Sequence, residues 1–496
     1  MITPYPRCAL AAVALLTTLC GCELSFDAPD VEPWEESDGG DADADFDADN
    51  DDGGDADADL DAETLPRVPF GVAGGAIRDE TGEALLLRGL NVSQVSKDIE
   101  GHLYPLTADD VSLILRRGFN SVRLLTFWEA VMPEGPGLID EGYVEGFADQ
   151  VGLFAEGGVA VVVDMHQDLW GRPFGDGAPE WACPEEIREG YVPVEPWWHN
   201  YMSPQVNGCF DTFWADPDLQ SDLIDAWVAV AAAVCDRGEV VGFDPMNEPW
   251  PGSELGSPGF DNETLMGFYT QVMDAVESVC PGRVFFLEPT LAYELGLTDA
   301  LEIPASVRDR VVLAPHFYPT MVHEPGAGYD GDADALEQTL LYSYGAFIEQ
   351  GTPLWIGEYG GITTNPNFDL YFDDVSTIFS SHFIGSALWE YSEGATSFSF
   401  LSQDGEPRDA FASAARVPVP SVLPDCPLSV DVDAAAGELA VTFTCSPDRR
   451  VSLLLPEEGP DTCSITPDDA IETDEPLPWT FSGRCAADDQ VTITCP

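Results

Sequence analysis

Two glutamates at the ends of apolar runs carry the clearest chemical signal in the chain. Glu248 closes Val240-Val241-Gly242-Phe243-Asp244-Pro245-Met246-Asn247-Glu248-Pro249-Trp250, and Glu358 closes Leu354-Trp355-Ile356-Gly357-Glu358-Tyr359-Gly360. Each run opens like a strand buried on both faces. Pro249 cannot continue a central strand, so the backbone must leave the sheet just after Glu248. A carboxylate in that position is poor for stability and good for chemistry. Two of them about 5 to 5.5 Å apart are what retaining glycoside hydrolysis requires, one as nucleophile and one as an acid that later serves as base.

Elements that could bring the two together are legible from Pro66 to about Pro418, where strand-like runs alternate with amphipathic stretches. A leading hairpin around Glu80-Thr81-Gly82 comes first. Eight strands are then expected, at 86–92, 121–125, 159–166, 240–247, 284–288, 311–317, 354–358 and 385–389. Helical patterns between them cover 108–117, 142–156, 219–236, 262–279 and 334–350. This is the order of an α/β (β/α)8 TIM barrel, whose active site lies at the C-terminal strand ends. Those ends read Asn91, Arg123, Asp164 to Asp168, Asn247-Glu248, Glu288, His316-Phe317-Tyr318, Glu358-Tyr359 and Trp389-Glu390. Strands four and seven face each other across a barrel mouth, so Glu248 and Glu358 can share a substrate. Asn247 is placed to bond a sugar 2-hydroxyl. His166, His316 and Tyr318 would supply further polar contacts, Arg123 would keep Glu358 ionised, and Trp389 offers a flat apolar face to a pyranose.

Two acidic groupings are read structurally. Asp164, His166 and Asp168 are read as part of a strand in which successive side chains point to opposite faces, and not as a metal cluster. Asp330, Asp332 and Asp334 read as a turn capping the next helix.

Taken together, Asn247-Glu248-Pro249, Glu358, Arg123, His166, His316-Phe317-Tyr318 and Trp389 resemble the family 5 glycoside hydrolases over Gly71 to Arg416. The resemblance implies retention, with Glu248 as acid/base and Glu358 as nucleophile, and no metal or organic cofactor. Within that family, Asp164-Met165-His166-Gln167-Asp168-Leu169-Trp170, the segment Gly175 to Ala182, and Arg88 to Ser93 look most similar to endoglycoceramidases and glycosylceramidases. That similarity implies a glycan contact for Lys97 and Asp168, and a bond between glycan and lipid as the one cleaved. A β-glucosidase or endo-β-glucanase of the same fold is the alternative. An inactive surface glycan-binding lipoprotein is the alternative from another class.

The connection from Gln167 to Asp218 is crowded with aromatics: Trp170, Trp181, Trp197, Trp198, Tyr201, Phe210, Phe213 and Trp214. They form either a wall for a lipid aglycone or a satellite core under the loop. Cys183 with Cys209 would staple this loop, and Cys235 with Cys280 would join two neighbouring helix ends.

The remaining segments flank the barrel. The net charge of -71 argues against nucleic acid and anionic headgroups as partners. Residues 1–22 read as an export signal ending in Leu19-Cys20-Gly21-Cys22, which looks like a bacterial lipobox and implies lipid attachment at Cys22. Residues 23–65 form an acidic tether that cannot bury enough apolar surface to order itself. The expected protein is therefore an exported monomer, lipid-anchored at the outer membrane or cell surface, whose partners are a glycolipid or oligosaccharide and the membrane. Residues 66–420 are assigned to the hydrolase barrel. Residues 421–496, with short alternating strands and Cys426, Cys445, Cys463, Cys485 and Cys495, are assigned to a β-sandwich with up to two disulfides. Its expected role is packing support for the barrel.

Overall fold

The computed structural model describes residues 70–257, 259–294, 301–460, 462–474 and 478–496. The signal, the tether and Cys22 lie outside the described residues.

Eight parallel strands close into a barrel: β1 (Arg88–Val92), β2 (Ser121–Thr126), β3 (Ala160–Met165), β4 (Val240–Asp244), β5 (Val284–Leu287), β6 (Val311–Leu313), β7 (Trp355–Tyr359) and β8 (Gly385–Leu388). A two-residue continuation of β6, His316–Phe317, pairs in parallel with β7, setting His316 beside Glu358. β7 pairs with β8, and β8 returns to β1 through Ser386 and Arg88, so the ring closes. The strands are continuously apolar because both faces are covered. Val162, Val241, Val284, Phe286, Val312 and Trp355 fill the interior, while Val161, Val163, Val240, Phe243 and Phe285 pack outward against the helices.

The helices are α1 (Ala108–Arg116), α2 (Glu141–Glu156), α3 (Pro204–Ala215), α4 (Pro217–Val234), α5 (Met266–Val279), α6 (Ala333–Glu349) and α7 (Phe368–Ser381). Their starts follow local chemistry. Thr107 and Asp110 form a reciprocal capping box on α1. Asp332 accepts from the Ala335 N–H at the start of α6, the capping role expected of that acidic turn. No helix among the described residues is long and apolar enough to cross a membrane.

The leading hairpin, Phe70–Ala73 with Ala76–Asp79, lies against the barrel interior. Ile77 is buried with the inner cluster, and Phe70 and Val72 pack on it. Its sheet then continues through Ala84–Leu85 into Val419–Leu423, Arg450–Leu454, Thr480–Cys485 and Ile471–Thr473. The sequence boundary at 420/421 therefore runs through a strand, and the hairpin shares its sheet with the C-terminal region. A second, four-stranded antiparallel sheet faces the same C-terminal core of Leu439, Val441, Phe443, Val451, Leu453, Val491 and Ile493. Cys445–Cys485 and Cys463–Cys495 are bonded there and Cys426 is the thiol left over.

Candidate active site

Glu248 and Glu358 reach the same space from β4 and β7. One carboxylate oxygen of each, with one ring nitrogen of His316, lie within 4.8 Å of one another. That spacing suits the close carboxylate pair of retaining chemistry, not the wider pair that leaves room for a water.

His316 sits between the two, its Nδ1 2.9 Å from Glu248 Oε1 and 3.6 Å from Glu358 Oε2. Gly357 makes room for the ring, since a Cβ there would lie 3.2 Å from His316 Cδ2 and Nε2. Burial opposes charge on His316, but Glu288 and Glu358 hold the imidazole protonated well above its usual range.

Glu358 accepts from Arg123 Nη1 at 3.1 Å and from the Tyr318 hydroxyl at 2.9 Å. Arg123 makes the expected contact and pulls the carboxyl in the expected direction, toward the charged form. Burial pushes Glu358 above its ordinary value, and the pull of His316 and Arg123 does not reverse that. The guanidinium is shared: Asp164, Asp244, Glu288 and Glu358 all lie within 3.1 Å of it. It also donates to Asn91 and Asn247.

The other polar residues expected around a sugar spend bonds on this framework first. Asn247 accepts from Arg123 and donates to the Gln167 carbonyl. His166 Nδ1 is 2.7 Å from Asp164 Oδ2, and its Nε2 is 3.8 Å from Asp168 Oδ2. Burial and Lys97 hold His166 well below its usual range, so the ring is neutral. The three residues therefore converge: positions two apart share a strand face, so alternation does not separate them and is no reason against a cluster. β3 ends at Met165, and beyond Asp168 the chain turns through Leu169 (φ 55°) and Trp170 (φ 81°). His166, Asp168 and Asp176 bring ligand-type atoms together, but the cation beside them is a lysine.

That lysine, Lys97, ends the turn Gln94–Lys97, is buried, and bonds Asp168. Its ammonium lies 4.5 Å from the centre of the Trp389 ring. Trp389 also stacks on His166 at 5.4 Å and 17°. The indole is thus largely buried in a polar stack, less open than the platform the sequence suggests. Burial opposes charge on Asp168, yet Lys97 and His166 hold its carboxyl well below the usual range.

The aromatic connection divides. Trp170, Tyr201, Phe210 and Phe213 are buried, with Trp128 meeting Trp170 edge-on at 6.2 Å, as in a satellite core. Val192, Val194, Trp197, Trp198 and Met202 stay exposed. Trp197 lies 6.4 Å from Tyr201, and Tyr201 packs on Trp250, two residues after Glu248. Cys183–Cys209 closes this segment, and Cys235–Cys280 links the ends of α4 and α5.

Buried acids outside the expected site set that bear on Arg123 and Lys97 include Asp164, Asp176, Asp244 and Glu288. Asp164 and Glu288 were visible as polar strand ends. Asp244 gave one signal, an acid inside an apolar strand. Asp176 sits in Gly175-Asp176-Gly177, where a Cβ on Gly177 would lie 2.3 Å from Gln167 Cβ, so the loop folds flat onto the end of β3.

Comparison with known proteins points the same way. Residues 78–394 match the family described as Cellulase (glycosyl hydrolase family 5). The chain is 32% identical over 360 residues to endoglycoceramidase I of Rhodococcus hoagii, covering 67% of this chain and 70% of that protein. It is 28% identical over 246 residues to a glucosylceramidase of Rhizopus delemar, covering 37% of this chain and 36% of that protein. Among solved structures, endo-glycoceramidase II from Rhodococcus sp. superimposes with a TM-score of 0.73 at 26% identity, over 85% of this chain and 99% of that one. The same relative has been solved as a lactosyl-enzyme intermediate and as a complex with ganglioside GM3.

Proposed function

Because the chain belongs to glycosyl hydrolase family 5 and is a retaining O-glycosyl hydrolase related to endoglycoceramidases, we propose that it cuts the bond between glycan and lipid in glycosphingolipid-like substrates. Glu358 attacks the anomeric carbon while protonated Glu248 gives its proton to the departing lipid oxygen, leaving a glycosyl ester on Glu358. Glu248, now a carboxylate, takes a proton from water as that water attacks the anomeric carbon, freeing the sugar and Glu358. Lys97, Asp168, His166, Asn247, Tyr318 and Trp389 would line the sugar side.

The observation that carries the lipid side is the exposed apolar stretch Val192 to Met202, joined through Tyr201 and Trp250 to the chain that bears Glu248. Glu195 is the one charged residue in it, and Trp197 and Trp198 are 49% and 40% exposed. Trp197 and Trp198 would also stack on the sugars of a glucan, but the exposed Val192, Val194 and Met202 beside them suit a lipid alcohol. The ceramide-linked relatives support the same reading. A lipid anchor at Cys22, proposed from the sequence, would hold the enzyme exported at a membrane.

The second reading, a β-glucosidase or endo-β-glucanase, draws on the family description and on a sugar-side cluster that any hexose could use. Purified protein incubated with ganglioside and with soluble β-glucan separates them. Free ceramide with intact oligosaccharide is the expected outcome, and glucan cleavage without ganglioside cleavage would refute the lipid reading. Trp197→Ser with Trp198→Ser should lower turnover of micellar ganglioside about tenfold or more, in line with the loss of two aromatic contacts, and leave a soluble aryl glycoside unchanged.

A further inference from the structure

Glu288 closes β5 and is 1% exposed, yet neither the nucleophile nor the acid/base role uses it. Its oxygens meet three partners. Oε2 accepts the Glu248 backbone N–H at 2.8 Å. Oε1 accepts from Arg123 Nη2 at 2.9 Å and lies 3.2 Å from His316 Nε2. We infer that Glu288 is a positioning residue for the acid/base: it pins the backbone that carries Glu248 and fixes His316 as a donor to Glu248 Oε1, so that the transferable proton resides on Oε2.

Two observations carry this. Glu248 has φ of 41°, a left-handed conformation that a non-glycine residue keeps only where its surroundings impose it. The Glu288 carboxylate binds the N–H of that same residue. Second, both ring nitrogens of His316 face carboxylate oxygens, Glu248 on Nδ1 and Glu288 on Nε2. A ring between two such acceptors carries a proton on each nitrogen. Its other charged and titratable neighbours include Glu358, 3.6 Å from Nδ1, the Tyr318 ring edge-on at 6.5 Å, Tyr344, whose hydroxyl donates to the His316 carbonyl at 3.3 Å, and Arg123 beyond Glu288. With the Nδ1–H donated to Oε1, the proton that Glu248 gives to a leaving group must sit on Oε2. The same Nδ1–H bond then stabilises the Glu248 carboxylate once the proton has left. Glu288 touches no reacting atom in this scheme and acts through Glu248 and His316. The inference rests on the retaining chemistry and not on the identity of the lipid.

The test pairs Glu288→Gln with Glu288→Asp and reads two quantities. Nitrogen-15 NMR of histidine-labelled protein, with His316→Gln to assign the signal among six histidines, should show His316 as imidazolium in the wild type at about pH 8, above the usual histidine range. It should be neutral there in Glu288→Gln and still charged in Glu288→Asp. For kinetics, Glu288→Gln should lower kcat/KM about a hundredfold for an alkyl β-glycoside, which needs the acid, and less than about tenfold for a dinitrophenyl glycoside, which does not. Equal losses on both substrates, with His316 unchanged, would reduce Glu288 to a counterion for Arg123 and overturn the inference. A neutral His316 in the wild-type protein would overturn it without any variant. The NMR arm uses no substrate, so its result stands whether or not a glycoside is turned over.

Discussion

Tyr318→Phe removes one oxygen and keeps the ring that lies 6.2 Å from Phe398, so the barrel mouth should hold its shape. The lost hydroxyl is one of two donors to Glu358, at 2.9 Å on Oε2, while Arg123 remains at 3.1 Å on Oε1. Burial, then Glu358, push the Tyr318 phenol well above its ordinary range, so it stays a donor through the working pH. A hydrogen bond to a charged acceptor contributes about 1.5 to 3 kcal/mol. We take the lower end because Arg123 still neutralises the site. At about 1.4 kcal/mol per pH unit, the variant's nucleophile should need about one unit higher pH to ionise. The sign follows from the protonation state: Tyr318 bonds the charged form, Glu358 already lies above its ordinary value, and losing the donor raises it further. The acidic limb of kcat/KM should therefore move to higher pH by about one unit. The plateau above it should change less than about fivefold, because negative charge leaves Glu358 as it attacks and the ground-state bond is partly lost anyway. The assay is kcat/KM against pH with a dinitrophenyl glycoside, whose departure does not depend on Glu248. A uniform fall of the plateau with the acidic limb unmoved would refute the reasoning, since Tyr318 would then not govern the charge on Glu358.

Glu358→Gln should abolish turnover of every glycoside, and normal cleavage of an activated aryl glycoside by that variant would remove Glu358 as nucleophile. Glu248→Ala should slow alkyl glycosides by about 10² to 10⁴ and activated aryl glycosides far less, as expected for loss of a general acid. Lys97→Met leaves Asp168 without its buried partner and should cost about 3 kcal/mol of unfolding free energy at neutral pH, measured by urea denaturation. Because Asp168 is held below its ordinary range, the stability it contributes is fully present above about pH 4 and is lost as pH falls from there through the lowered value of the folded protein. The gap between wild type and variant should therefore narrow in acid, and a gap independent of pH would count against the pair. Replacing Cys183 and Cys209 by alanine opens a crosslink with a sequence separation of 26. It should destabilise the protein by about 3.5 kcal/mol on chain-entropy grounds, read as a lower Tm, and an unchanged Tm would mean the segment is held by its aromatic packing alone.

Much of the fold was legible in one dimension. Continuously apolar strands alternating with amphipathic helices specify a parallel sheet covered on both faces, and polar residues at the strand ends mark its working rim. Glu248, Glu358, His316 and Tyr318 could be read this way because each lies at or just past the end of an element whose period is set locally, and Arg123 as a charge inside the apolar strand β2. The capping role of Asp332 was equally local. The hairpin was legible as a hairpin, but its sheet partners were not, since Val419–Leu423 lies more than three hundred residues away in sequence.

Beyond the strand ends, periodicity stops, and there the reading from sequence failed. The expectation of no cluster at Asp164, His166 and Asp168 overlooked that positions two apart share a face, and the three lie together. Lys97 and Asp168 could be placed near a glycan only by resemblance, because nothing local says that a turn after β1 and a loop after β3 will meet over Trp389. Arg123 gave the same difficulty in electrostatic form. Its sequence neighbours show a cation in a strand, but closure of the barrel decides that four carboxylates share it. Burial, which the sequence does not show, leaves Glu358 above its ordinary value although His316 and Arg123 pull the other way. The sequence by itself determined which side chains reach the barrel mouth, since that depends on local period and on where each strand stops. Only the tertiary structure decided which of them share a proton or a charge, because those energies depend on distances across the ring and on burial from water.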